Sequence, residues 1–149
     1  MKKTTVFLFT AVLLFCLFSC AQSMAALYAE DDEEEKHPID LELERRLSAD
    51  HSTVGMMEAY KQTLADWDRL LNENYRALMQ KLSGEEQEKL RVSQREWIKY
   101  RDLEFEFRSS VYGDFQGTIY LLAPGMFQCS FVRDRALSLG YLLDDLDNR

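Results

Sequence analysis

The chain has little of what marks several functional classes. Of its 149 residues, two are histidine (His37 and His51) and three are cysteine. The cysteines do not cluster, so no zinc-ligand set assembles and neither a metal nor a cofactor is expected. Six glycines and two prolines exclude a low-complexity or collagen-like chain. No GxGxxG, P-loop or GxSxG string is present. A basic surplus is missing too: 18 Lys and Arg face 26 Asp and Glu, a formal net charge of −8. Such a chain is poorly suited to neutralising phosphates, which argues against nucleic-acid binding.

What is present is unevenly placed. Six acids are consecutive, Glu30 to Glu35, and from Lys36 onward 16 bases against 20 acids leave only −4. The acidity is therefore mostly a tail on a nearly balanced body. Such a run is a solvated spacer in its simplest reading. In a sharper one it captures a cationic partner, because opposite charge raises the association rate.

Met1-Lys2-Lys3, the apolar run Val6 to Phe18 and the small residues after it have the layout of a secretory signal peptide, here residues 1–25. The run falls short of the roughly 20 residues that span a bilayer. Two cleavage routes fit. Leu17-Phe18-Ser19-Cys20 resembles a bacterial lipobox, which makes Cys20 a lipidation site, although Phe18 is bulkier than usual there. Alternatively, cleavage after Ser23-Met24-Ala25 releases a soluble protein. Either way the expected location is outside the cytoplasm, in the periplasm or envelope. Contact with the membrane is expected only through a lipid anchor. Residues 26–36 read as an acidic linker and 37–149 as one domain.

That domain reads as helix throughout, with no convincing strand. Pro38 suits a first helical turn, predicting a short helix to about Ser48 before a polar break at Ala49 to Ser52. Ser52 or Thr53 caps a second helix, whose stripe is Met57, Tyr60, Leu64, Trp67, Leu71, Tyr75, Leu78 and Leu82. Ser83 with Glu86 forms a capping box for the third, so these two helices form an antiparallel hairpin. The third carries Leu90, Trp97, Tyr100, Phe107 and Val111 and stops near Gly113. Thr118 is placed to cap a further stretch, which Pro124-Gly125 is expected to break or kink. A last helix is predicted from about Met126 to Leu146. The fold class is all-α: a long helical hairpin with a short N-terminal and a C-terminal helix, forming a small bundle.

Two polar-aromatic clusters fall on the facing long helices. Asp68, Asn72 and Tyr75, beside Trp67, share a face of one; Gln94, Trp97 and Arg101, followed by Asp102, share a face of the other. Trp, Tyr and Arg are the types enriched at binding hot spots. The blander reading is structural, with Arg101 pairing to Asp68 across the hairpin while Gln94 and Asn72 satisfy its other hydrogen bonds. Asp68 and Asp102 are a conceivable carboxylate pair, but no nucleophile accompanies them and no catalytic residue is expected. Cys129 reads as a buried, inert thiol.

These clusters, in this order, resemble the LprI-type lysozyme-inhibitor domain family. The matching pieces are His37 to Asp40, Ser52 to Met56, Trp67-Asp68 with Leu71-Asn72 and Tyr75, then Leu90, Gln94 and Trp97 to Asp102, then Gly117-Thr118, and last Arg135 and Leu139. The resemblance spans His37 to about Leu139. It implies a small exported bacterial helical domain, often a lipoprotein, in a family many of whose members have no known function. Family members commonly carry cysteines at positions that here hold Arg46, Ala59, Phe105 and Phe127, so those disulfides are absent; Phe105 and Phe127 are predicted to replace one of them with an aromatic contact.

The resemblance further implies a non-enzymatic binding protein that occludes a cationic lysozyme or other muramidase. Candidate contacts are the Gly113 to Gly117 loop, exposed acids, and Tyr112 or Phe115. The rival readings are a structural or adaptor module of the envelope, and an immunity-type protein against a peptidoglycan-cleaving toxin.

Overall fold

The computed structural model describes residues 36–149; the signal-peptide, Cys20 and Glu30 to Glu35 readings fall outside the described residues. Four helices follow in order: α1 Pro38–Ala49, α2 Thr53–Lys81, α3 Gly84–Gly113 and α4 Thr118–Asp147. Among the described residues there is no strand.

The starts of the first three helices are written in short side chains. His37 Nδ1 accepts the Ile39 N–H at 3.2 Å, with Pro38 in the first turn where its missing donor costs nothing. The Ser52 hydroxyl accepts the Gly55 N–H at 3.0 Å. Ser83 and Glu86 exchange hydrogen bonds as a complete capping box. α4 begins differently. Its N-cap is Gly117, at φ +118°, and no side chain accepts there. A side chain is strained at that φ, which accounts for glycine at the turn.

Packing decides the rest. α2 and α4 run side by side in the same direction for nearly their whole length. Cys129 Sγ donates to the Tyr60 carbonyl at 3.1 Å near one end, Asn74 Nδ2 to the Ala136 carbonyl at 2.9 Å in the middle, and Lys81 pairs with Asp147 at the other end. Small residues permit this approach: Ala136 is fully buried, and a Cβ on Gly125 would lie 3.1 Å from Tyr60 Cβ. Between them lies the core of Trp67, Leu71, Leu78, Val132 and Leu139, joined by Leu90 from α3. Full burial of such side chains contributes roughly 1.5–3 kcal/mol each. α1 lies antiparallel on another side of α2, where Arg46 reaches Thr63 Oγ1 at 3.1 Å and Asp66 at 2.8 Å. It also reaches α4, through an Asp40–Arg133 pair at 2.9 Å.

α3 packs mainly along α4, antiparallel to it. Trp97 stacks on Phe131 with ring centroids 5.8 Å apart, Phe105 meets Phe127 edge-on at 6.1 Å, and Tyr112 meets Tyr120 at 6.3 Å. The predicted Phe105–Phe127 contact is thus present. α3 turns back on α2 as the capping box requires, but beyond the turn its contact with α2 is sparse.

Three expectations are corrected. The last helix starts at Thr118, well before Met126, and runs unbroken through Pro124-Gly125. Pro124 removes one backbone donor, yet buried Leu122 and the seat of Gly125 on Tyr60 hold this segment against α2. Second, Gly117 rather than Thr118 occupies the cap. Third, the α3 stripe is not wholly core: Leu90 is buried, whereas Tyr100, Phe107 and Val111 are exposed.

Candidate functional site

The two motif clusters separate by role. Trp67, 1% exposed, is core. Its indole packs against the His37 ring, with centroids 4.5 Å apart, and under the Arg133 guanidinium at 5.6 Å. Tyr75 lies partly buried against the same core. Trp97 is half-buried, stacked on Phe131 and flanked by the Arg101 and Arg135 guanidinium groups at 5.4 and 6.0 Å.

The polar residues are arranged otherwise than the sequence suggested. Arg101 does face Asp68 across the hairpin, at 3.9 Å, but its closer partner is Asp102, at 2.7 Å. Asn72 serves Asp68 rather than Arg101; its amide donates to the Asp68 carbonyl at 2.7 Å and carboxylate at 3.1 Å. Gln94 is buried and accepts from Arg135 Nε at 3.1 Å, while Arg135 also donates to Ser93 Oγ at 3.3 Å. Arg135 had no role in the sequence reading beyond the family pattern. Burial pulls its guanidinium below its ordinary pKa, and Gln94 supplies the hydrogen bond that burial demands. Gln94 thus fixes α3 to α4, and Asn72 fixes Asp68 on α2.

Where α3 stands off from α2, a groove opens. Its inner part, about 340 Å³, has Leu64, Phe105 and Val132 as its floor and Asp68, Arg101 and Asp102 at its rim. Lys61 and Leu64 also line a second, more apolar cavity of about 490 Å³ between the first turns of α2 and α4, so the two adjoin. Its walls are Val54, Met57 and Tyr60 from α2 and Leu121, Leu122 and Pro124 from α4. Val54 is 77% exposed and Leu121 60%. Around this end lie Phe115, stacked on Tyr120 at 4.8 Å, and the exposed Ile119, Leu103 and Phe107.

Charge gathers at the same end. Residues 53–68 and 101–131 hold seven acids and three bases, a net of −4, which is the whole net charge from Lys36 to Arg149. From Thr118 to Val132 there is no charged residue. The apolar end is therefore also the acidic one. Sequence counting missed this because the acids are dispersed along α2, α3 and the loop, and only folding brings those segments to one end.

Beneath the groove, Cys129 is buried and unpaired among the described residues. Burial pushes its thiol up to about 11, and burial, followed by the neighbouring Cys129, also raises Tyr60. A thiol so raised is a poor nucleophile. Among the described residues no group of His, Cys, Asp or Glu is placed to hold a metal ion, and no helix is long and apolar enough to cross a membrane.

The family model for the lysozyme inhibitor LprI matches residues 44–139. The chain belongs to the LprI family. It is also similar to an uncharacterized protein of known structure from Burkholderia thailandensis, with 26% identity and a TM-score of 0.72. That likeness covers 77% of this chain and 58% of the other, so this chain spans less than two thirds of its length. No curated protein matches it in sequence. Both motif clusters lie inside the LprI match, as do the groove and the Phe115 loop. The family is named for inhibiting an enzyme rather than for being one.

Proposed function

We propose that this LprI-family protein is an exported, non-enzymatic binding protein that inhibits lysozyme-type muramidases by covering their cleft. Membership of a family named for lysozyme inhibition motivates the reading. The observation that carries it is the coincidence, at one end of the bundle, of exposed apolar side chains with the body's entire net negative charge. A cationic enzyme meets opposite charge there on approach and apolar contact on docking. Phe115, Tyr112 and Tyr120, packed on one another around the 114–117 loop, are the proposed contact residues. Trp67, Tyr75 and Gln94 are assigned to holding the helices, Asn72 to fixing Asp68, and Asp68, Arg101 and Asp102 to the rim. In this reading residues 1–25 direct export, through a lipidated Cys20 or as an ordinary signal. Residues 26–36 are the linker, and 37–149 the working domain.

The test is a muramidase assay with purified protein at several salt concentrations. Inhibition at micromolar protein that weakens steeply with salt supports docking by charge. No inhibition at low salt overturns the reading and leaves an adaptor role in the envelope. Phe115→Ala with Tyr120→Ala should weaken inhibition by about tenfold or more, the loss expected of aromatic anchors.

A further inference from the structure

The groove beside α2 is half-filled by the protein itself. In its lower part α3 lies against α2 and α4 through Leu90, Gln94 and Trp97, down to the Arg101–Asp68 contact. Past Phe105, α3 contributes nothing to the lining, and α2 and α4 face open space. The reason is in the sequence of α3. On one side α3 presents Asp102 and Glu106 and then Ser109 and Gly113 at helical spacing, two acids followed by two small residues. None of these lines the cavity beside Val54 and Met57, and none offers an apolar end to them.

We propose that the open part of this groove binds a basic amphipathic helix of a partner protein, its apolar side on α2 and α4 and its Lys or Arg side chains toward α3. Two parallel helices offering apolar residues at three- and four-residue spacing are a helix-in-groove seat. From Val54 to Asp68 the seat is about 21 Å long at 1.5 Å per residue, enough for about four turns of helix. Its polar margin carries Glu58, Asp68, Asp102 and, in register, Glu106, against Lys61 and Arg101.

Charge also selects among occupants. A second copy would bring two ends of −4 together, and the chain's own Glu30 to Glu35 segment is acidic. Both are repelled where a basic segment is attracted. The inference does not require the partner to be a muramidase.

The probe is a fluorescent Leu/Lys peptide of about 18 residues with one apolar face, long enough to fill the seat. Two comparison peptides are a scramble of the same composition without that face, and an analogue with Glu for Lys. Binding to the full chain is read by anisotropy. The amphipathic basic peptide should bind about tenfold or more tightly than either comparison. Met57→Lys with Leu121→Lys, both at exposed positions, should abolish that preference while helicity and melting temperature stay unchanged.

If that double variant misfolds, Glu58→Lys with Glu106→Lys reverses margin charges without touching apolar packing and should weaken binding by a similar factor. Equal binding of the scramble, or undiminished binding by the folded variants, overturns the proposal. So does loss of binding on deleting Glu30 to Glu35 alone. So too does a concentration-dependent dimer of the full chain that Met57→Lys with Leu121→Lys dissolves. Muramidase inhibition is scored separately with the Phe115 and Tyr120 variants, so either reading can fail without the other.

Discussion

Arg46 stands where relatives are expected to carry a cysteine, and its guanidinium takes over part of a crosslink's work. It reaches Thr63 and Asp66 on α2 and Glu42 on its own helix, at 3.1, 2.8 and 3.0 Å. Hydrogen bonds from Arg45, with Arg46 beside it, hold the Glu42 carboxyl down to about 2, although that group is open enough to solvent to add little to stability. Arg46→Ala should cost about 1–3 kcal/mol, the range for leaving part-buried polar groups short of a charged partner, measured by urea denaturation. Across the molecule, a double-mutant cycle of Phe105→Ala and Phe127→Ala should give a coupling of about 0.5–1.5 kcal/mol.

Cys129 makes a pH prediction. In the unfolded chain the thiol ionises near its ordinary value of 9.0, but in the folded protein only at about 11. Between those limits the folded state keeps a proton that the unfolded state has lost, so stability falls as pH rises. Below that window the thiol contributes no slope. Tyr60, also raised, tilts stability the same way from its ordinary value of 10.0 upward, so the comparison is with Cys129→Ala, whose stability should decline less steeply above pH 9. The buried thiol was readable from its place on a helix face, and Phe105–Phe127 only through the family resemblance, whose cysteine positions those two residues occupy. Gln94–Arg135 was not, since a buried amide can take any guanidinium within reach, and the choice is made by how α3 rotates on α4.

At the scale of the helix, boundaries were legible and partners were not. Pro38, the caps at Ser52 and Ser83 and the scarcity of Gly and Pro set the limits of α1, α2 and α3 closely, whereas the His37 cap is visible only in the structure. Periodicity identifies a face but not what covers it, so the sequence points to α2 and α3 as the packed pair although α2 and α4 share more of the core. Buried Ala59 and Thr63 escaped the stripe because they lie toward α1 on a second face of α2. Pro124 does not end α4, because a proline marks the loss of one donor and tertiary packing can carry a helix across it. Pro124→Ala should accordingly stabilise the protein, by up to about 3 kcal/mol, with slower amide exchange around Tyr120. Gly117→Ala should destabilise it by about 1–2 kcal/mol, because φ +118° is strained for any side chain.

For the whole molecule, the body's small net charge conceals a polarity. The −4 resides in 53–68 and 101–131, and the remainder of the described chain sums to zero. The acidic run from Glu30 to Glu35 is then not the only source of attraction for a basic partner. Deleting it should slow association with a basic partner severalfold at low salt while leaving the dissociation rate unchanged, as stopped-flow mixing would show.

The parallel pairing of α2 with α4 also orders events in time. Contacts that seal the core join residues 62 to 69 positions apart, at Asn74–Ala136, Lys81–Asp147 and Tyr60–Cys129. A growing chain that has reached only Gly113 has three helices' worth of sequence but no Val132, Ala136 or Leu139 to close the core upon. The α2–α3 hairpin is too sparsely packed to stand in for them. Folding must therefore wait for most of α4, and it must close a long loop before the core rewards it. Among helical domains of this size, this one should fold slowly, as a single cooperative event that waits for α4.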